Sequence, residues 1–531
     1  MFKTLNFSST TRYWLNIYSF LLFPIILSVI FEGDTHLIKR IIYHMIFTLG
    51  LCFPFTLIPC RFHKHLMYIY VIAYILYWLE FYHIYTFKTE LLPASIQIIL
   101  DSNKFEVKEF AYETFTPTLF LSIIVYLTMI VFSFINTKKY TNCVSPNKTI
   151  IMITLLGLLF SISKDFHTYR YNKYQFLPYR VIYTTYNYYK EKLEIIKMRK
   201  NHKVPYISGL HTKNLNNLPE TYIIVIGESA SKKHLKYYGY YRDTTPFSAK
   251  YLSPIIFKNV SSPHASTLLS LKDTLTFSSK TNPEGIKLGS IINIFNQIGF
   301  KSFWISNQYS QGKYDNLTSV LAHDATTTLF LNDNKKYFIH HATDSHYDED
   351  LLPFINQALS DKAPKKIIFI HLAGSHTPYQ FRFPKTFDLF QEHNKNSFEK
   401  GFDDYDNSIR YTDFILSKIT KAISKRKEQS FVLYFSDHGD DVRLEKDSCH
   451  CHTTNPKKQT PQMYEIPFLL WFNHSYQKNN PQLVKQIKSY TERPFITHHL
   501  IHSLPTLAGL SFDLQEDDKN LFSPSFVPEK E

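Results

Sequence analysis

Residues 13–31, YWLNIYSFLLFPIILSVIF, run without a single charge. A bilayer asks for about 20 apolar residues per helical span, and nothing restricts the fold of this chain more than how often that pattern returns. It returns at 41–59 (IIYHMIFTLGLCFPFTLIP), at 66–87, where Glu80 is the one acid among Tyr, Trp, Ile and Leu, at 118–135 and at 150–164. The last run is short, but Lys148 and Lys164 bound it and can snorkel to a polar boundary. The competing reading of that run is a buried core helix. A cleaved signal peptide does not account for the first run, because no small-residue cleavage site follows and four further runs do. The pattern predicts an N-terminal five-helix transmembrane domain over residues 1–164.

Basic residues near the runs set a direction. Lys3, Arg12, Arg61, Lys64, Lys138, Lys139 and Lys148 fall on one side, and Lys39, Arg40, Lys88, Lys104 and Lys108 on the other. The bias places the N-terminus inside and everything after Lys164 outside the cytoplasm. Between the third and fourth runs, LPASIQIILDSNKFEVKEFAYETF reads as amphipathic helix on the outer face. Residues 165–205 are dense in Tyr, Lys and Arg, which suits an interfacial connector whose rings are apolar and whose hydroxyls stay wet. A pair of surface helices with a Tyr-rich inner side is the alternative.

From about 206 the pattern changes. Short, continuous apolar runs at 221–226, 255–260, 301–306, 366–372, 430–436 and 466–472 alternate with helix-length gaps. Strands that are apolar on both faces predict a soluble α/β domain over 206–531 with a mostly parallel central sheet. In such sheets ligands bind beyond the carboxyl ends of the strands. The net charge of +14 fits attraction to an anionic membrane or glycolipid, and no groove-reading motif or basic run suggests nucleic acid. Five cysteines are too few for a disulfide scaffold; a Cys449–Cys451 bridge would close a tight ring.

Several side chains stand where chemistry is expected. Glu228 follows the strand TYIIVI and a Gly, which predicts that Gly227 turns the backbone to aim the carboxylate inward. Asp437 and His438 directly follow the strand at 430–436, and a carboxylate beside an imidazole suits a divalent metal. Ser266 and Thr267 open a predicted helix, where a hydroxyl lies in the positive field of the N-terminus. The residue types leave the choice of nucleophile between them open, and a plain Ser/Thr cap is the simpler reading. His376 lies in the loop after a strand, whereas His371, inside it, reads as a satisfied sheet histidine. Asn307 also follows a strand. His450 and His452 lie in SCHCHTT, where the spacing is not that of a structural zinc site. There is no G-x-S-x-G elbow, P-loop or dinucleotide fingerprint.

The stretches VIGESASKKHLKYYGYYRDTTP, SSPHASTLLSL, WISNQ, HLAGSHTPY and FSDHGDD, in that order, resemble the membrane-bound phosphoethanolamine transferases of Gram-negative bacteria, and most closely the branch modifying lipopolysaccharide core or lipid A. YDNSIRYTD, IPFLLWF and ILDSNKFEVKEF extend the resemblance over nearly the whole chain. It implies an alkaline-phosphatase/sulfatase-like fold and an inner-membrane, multi-pass protein with a periplasmic catalytic domain. It implies zinc held by Glu228, Thr267, Asp437 and His438, with a second ion and manganese left open. It selects Thr267 as the nucleophile, and His376 and Asn307 as substrate contacts. A further substrate histidine is implied about a dozen residues after SDHG, and His450 and His452 both fit. The implied donor is phosphatidylethanolamine, the acceptor a lipopolysaccharide or lipid A glycolipid, and the intermediate a phosphoethanolamine–threonine ester. A phosphoglycerol transferase or phosphodiesterase of the same superfamily is the alternative. SSPHA is superficially similar to the sulfatase signature C/S-x-P-x-R, but Ala265 stands in place of the Arg, which counts against a formylglycine sulfatase.

Overall fold

The computed structural model describes residues 9–32, 37–87, 90–101, 107, 116–139, 146–169, 176–200, 205–212, 218–310, 317–333, 346–393, 397–445, 448, 451–453 and 458–529. The chain divides into two compact units: 1–100 with 110–189, and 101–109 with 190–531.

The first unit is helical: α1 (Ser9–Glu32), α2 (Leu37–Leu57), α3 (His63–Phe87), α4 (Pro93–Asp101), α5 (Pro117–Lys139), α6 (Lys148–Tyr169) and α7 (Leu177–Lys200). A long helix forms over each of the five apolar runs. Among the described residues, however, only Ile38–Leu57, Cys60–Thr86 and Pro117–Asn136 are long and apolar enough to cross a membrane. Three of the five expected spans meet that measure among the described residues. α1 is diluted by Arg12, Asn16 and Pro24, and α6 runs on into Lys164 and Asp165. The Tyr-rich segment contains the regular helix α7, whose first turn is anchored: Leu177 is buried and the preceding Phe176 stacks on Phe47 at 4.0 Å. Buried Arg180 on α7 donates to buried Glu80 of α3 and, at 2.8 Å, to Glu90. An acid inside an apolar bundle is tolerated when paired in this way.

The second unit is built on a seven-stranded sheet: β1 (Glu220–Gly227), β2 (Ile255–Phe257), β3 (Lys301–Ser306), β4 (Thr327–Phe330), β5 (Lys365–His371), β6 (Gln429–Ser436) and β7 (Phe468–Phe472). Their spatial order is β2-β7-β6-β1-β5-β3-β4. The block β6-β1-β5-β3-β4 is parallel, but β7 runs antiparallel to both β6 and β2. The sheet is therefore mostly parallel, as expected, but mixed, because β7 alone of its seven strands is reversed. The run FLLWF is buried at every position, and an apolar run of that kind carries no sign of its direction. Side chains alternate between two cores. Ile224, Ile226, Phe369 and Leu433 pack with Leu271 and Leu275 of α8 (Thr267–Leu275). On the other face Ile223, Val225, Ile368 and Val432 pack with Ile415 and Ile419 of α9 (Ser397–Ser424).

Register places the chemistry. Ile226 pairs with His371 on one side, and Gly227 with Ser436 on the other. The next residues, Glu228, Leu372 and Asp437, leave the sheet along one rim.

Candidate active site

Glu228, Asp437 and His438 are all buried where β1 and β6 end, and Thr267 reaches them from the first turn of α8. The Thr267 hydroxyl Oγ1 lies 3.2 Å from both Glu228 carboxylate oxygens and 3.3 Å from His438 Nε2. Ser266, at the N-cap, makes no side-chain cap bond, so the simple cap does not describe this turn. His438 Nδ1 lies 3.0 Å from the Gly439 carbonyl oxygen, which can only accept, so Nδ1 carries a hydrogen and the ring is fixed with Nε2 inward.

The turn that aims Glu228 is made by Ser229, not by Gly227. Ser229 sits at φ 58°, uncommon for a residue with a side chain. Its N–H donates to Asp437 Oδ1 at 3.0 Å, and the Tyr405 hydroxyl donates to its carbonyl at 2.7 Å. Gly227 is required for another reason: a Cβ there would stand 2.7 Å from the Tyr434 hydroxyl oxygen. The loop after β5 presses just as closely. Gly374 has φ 55°, and a Cβ on it would lie 2.8 Å from the Glu228 nitrogen.

Two carboxylates this close and this buried repel. Burial, then the neighbouring Asp437, raises the Glu228 carboxyl to about 8. Burial alone would lower His438, but Asp437 and then Glu228 raise it to about 10. Asp437 Oδ2 is buried with no hydrogen-bond partner and lies 3.4 Å from His438 Nε2. The site therefore attracts positive charge. One donor atom from each of Glu228, Asp437 and His438 lies within 4.8 Å of the others. Mixed O and N donors, an orphaned carboxylate oxygen and an adjacent hydroxyl fit a zinc ion.

A second layer adjoins the first. The His452 ring packs against His438 at 4.2 Å between centroids, and its Nδ1 pairs with Asp440 Oδ1 at 2.8 Å. The Tyr379 hydroxyl donates to the other Asp440 oxygen at 2.8 Å. His376 is partly buried, and its pKa is pushed down to about 4 by its surroundings, then by Arg382 and His452. Its Nδ1 is held by the Thr377 carbonyl at 2.6 Å. His450 lies outside the described residues. Cys451 is disulfide-bonded, and its partner lies outside the described residues too.

Asn307 is buried after β3, and its amide donates to the His346 carbonyl and to Asp348 Oδ1, each at 2.9 Å. Asp348 in turn accepts from the Ala373 and Gly374 N–H groups. Asn307 thus braces the loop that bears His376. His371 departs from its expected role: it is buried, and neither ring nitrogen has a hydrogen-bond partner. Sequence reasoning passed over Ser229, Tyr405, Gly374 and Asp440. Only Asp440 carried a signal, its place in SDHGDD.

The sequence of the sheet unit matches a known pattern. A sulfatase family profile covers residues 220–510. The chain belongs to the sulfatase family. Within that family it is similar to the phosphoethanolamine transferase EptC of Escherichia coli (strain K12), 29% identical over 358 residues. That match takes in 65% of this chain and 60% of the relative, so the chain spans about three fifths of that relative's length. The crystal structure of the C-terminal periplasmic domain of E. coli EptC in complex with Zn matches at 28% identity with a TM-score of 0.56. It covers 61% of this chain and 92% of that domain. The integral membrane lipooligosaccharide phosphoethanolamine transferase A (EptA) of Neisseria meningitidis shares the fold over 97% of this sulfatase-family chain and 98% of its own, with a TM-score of 0.72 and 18% identity.

Proposed function

We propose that this chain is a membrane-anchored phosphoethanolamine transferase that moves phosphoethanolamine from phosphatidylethanolamine to an envelope glycolipid of the lipopolysaccharide core or lipid A type. The observation that carries the reading is the Thr267 hydroxyl, set at a helix N-terminus against Glu228 and His438. Glu228, Asp437, His438 and Thr267 would hold zinc. When bound, zinc lowers the pKa of a hydroxyl and neutralises phosphate oxygens. The rest falls to the chain's own groups.

Thr267 Oγ1 attacks phosphorus. An Oγ1–P bond forms, the bond from phosphorus to the glycerol oxygen breaks, and diacylglycerol leaves with a proton. An acceptor oxygen then attacks the same phosphorus and frees Thr267, so the kinetics are ping-pong. His452, held by Asp440, faces the phosphoryl oxygens and stabilises their charge, whereas neutral His376, whose Nδ1 hydrogen goes to the Thr377 carbonyl, offers Nε2 to the substrate as an acceptor. Asn307 holds the His376 loop through Asp348. Donor and acceptor are both lipids, which gives the apolar helices of the first unit their purpose: to anchor the chain in the inner membrane, multi-pass, with the catalytic unit on the periplasmic side.

The test is mass spectrometry of the protein after incubation with phosphatidylethanolamine and no acceptor. The expected result is a phosphoethanolamine adduct on the peptide bearing Thr267. Wild-type glycolipid modification by the Thr267→Ala variant would end this reading. An adduct formed only from phosphatidylglycerol would turn it into a phosphoglycerol transferase.

A further inference from the structure

One cluster of metal-type side chains shares no residue with the site above. His498 and His499 end the 3-10 turn Thr497–His499, and Glu529 comes to them from the C-terminal tail. The two Nε2 atoms are 3.0 Å apart. Glu529 Oε2 lies 2.9 Å from His498 Nε2 and 3.1 Å from His499 Nε2. The rings are 75° apart with centroids 3.9 Å from each other, and both imidazoles are largely shielded.

Hydrogen bonds do not explain this triangle. Each ring nitrogen carries at most one hydrogen, and that hydrogen can point at only one of its two neighbours. Two nitrogens and a carboxylate oxygen, all mutually about 3 Å apart, are better served by one shared cation. Two donors each about 2.05 Å from a zinc ion, subtending about 90–110°, stand about 2.9–3.4 Å apart. All three observed separations fall inside that range. The residue types agree, since two imidazoles and one carboxylate with an open fourth position are a familiar zinc set.

A contrasting cluster sharpens the choice. Glu392, His393 and Asp403 are also close together, but Arg242 hydrogen-bonds to all three, so a guanidinium already fills that place. Among the described residues, Glu529 has no partner besides the two histidines.

We propose that His498, His499 and Glu529 form a zinc site separate from the Glu228 cluster. It fastens the C-terminal tail to the turn that packs against α8. That turn touches α8 directly, through Thr497 Oγ1 and Thr274 Oγ1 at 3.0 Å. Thr274 lies seven positions after Thr267, about 10 Å along the helix. The ion thus supports the far end of the helix that carries the nucleophile.

The test is zinc stoichiometry on the purified full chain, stripped with chelator, dialysed against zinc chloride and counted by mass spectrometry. Glu228→Gln removes the ion of the active site and leaves the proposed one. In that background, Glu529→Gln weakens the remaining ion by more than the roughly 10-fold typical of outer-sphere partners, and His498→Ala with His499→Ala removes it. Glu529 is half exposed on the tail, so its variant reports even where the histidine pair fails to fold. If Glu228→Gln keeps no zinc, or if the Glu529 and histidine variants keep as much as their parent, the proposal is overturned. The catalytic reading is judged separately by the adduct on Thr267.

Discussion

Each unit of the molecule holds a close pair of carboxylates, and the two pairs are resolved in opposite ways. In the helical unit Glu80 and Glu90 share Arg180, a guanidinium that stays charged at any working pH. In the sheet unit Glu228 and Asp437 share His438, and among the described residues no Lys or Arg pairs with either. The first cluster is closed: Arg180, together with Arg40 at 3.8 Å from Glu90, balances its two acids. The second is left short of positive charge beside a hydroxyl. An acid pair with its own arginines is structural, whereas a fully buried pair without one is set to receive a cation. That contrast argues for a metal site better than the ligand types do alone.

The largest effect that would break the contrast is at Thr267. Thr267→Ala is expected to cut glycolipid modification at least about 1000-fold, worth about 4 kcal/mol, while Glu228, Asp437 and His438 still hold zinc, more weakly than in wild type; both are read by mass spectrometry. Next comes Arg180→Ala, which takes the guanidinium from buried Glu80 and from partly exposed Glu90 and is expected to destabilise the helical unit by about 3–5 kcal/mol, chiefly through Glu80. Thermal unfolding in detergent measures it, and an unchanged midpoint would mean that the first cluster is not closed by Arg180 at all.

Glu228→Gln is expected to lose about 100-fold in activity, or about 2.7 kcal/mol, with loss of zinc and no loss of fold. The pH dependence of the metal-free chain sharpens the same point. Glu228 is raised to about 8 and His438 to about 10 in the folded state, so the folded chain binds more protons than the unfolded one over that range. Their contribution is full at low pH and is lost as pH climbs from about 4.5 to about 10. Chelated wild type should therefore unfold more easily at pH 9 than at pH 6, and Glu228→Gln should flatten the part of that slope below about 8. The smallest effect is expected at His452. His452→Gln keeps zinc and loses about 10-fold in activity, or about 1.4 kcal/mol, mainly in kcat.

Much of the sheet unit could be read from its residues. Glu228, Asp437 and His438 each follow an apolar run that becomes a buried strand, and the position of a side chain just past a strand end is visible in sequence. Direction was not visible: β7 is apolar throughout, and only its partners show that it runs backwards. β4, TTLF at the sheet edge, is partly exposed and looks like a loop. Thr267 and Ser266 are chemically alike, and only the resemblance chose between them; the contact of the Thr267 hydroxyl with Glu228 is a fact of the fold that the sequence does not show. Gly227 drew attention as a turn residue, yet the left-handed backbone fell on Ser229, which Tyr405 and Asp437 hold in place from over 170 positions away. Such long-range locks leave no local trace. Glu80 read as an oddity in an apolar run until Arg180 supplied its partner.

The order of the strands carries a cost in time. β1 is the first strand of the central sheet to be made and lies in its middle, yet its neighbours are β5 and β6, which end at His371 and Ser436. At about 5–20 residues per second, roughly 10–40 s separate the emergence of Gly227 from that of Ser436. For that interval a strand of Tyr, Ile and Val has two unpaired edges, the condition under which chains aggregate. Newly made copies therefore need shelter until about four fifths of the polypeptide has emerged, and truncations between Gly227 and Ser436 should be recovered as insoluble material rather than as smaller folded domains.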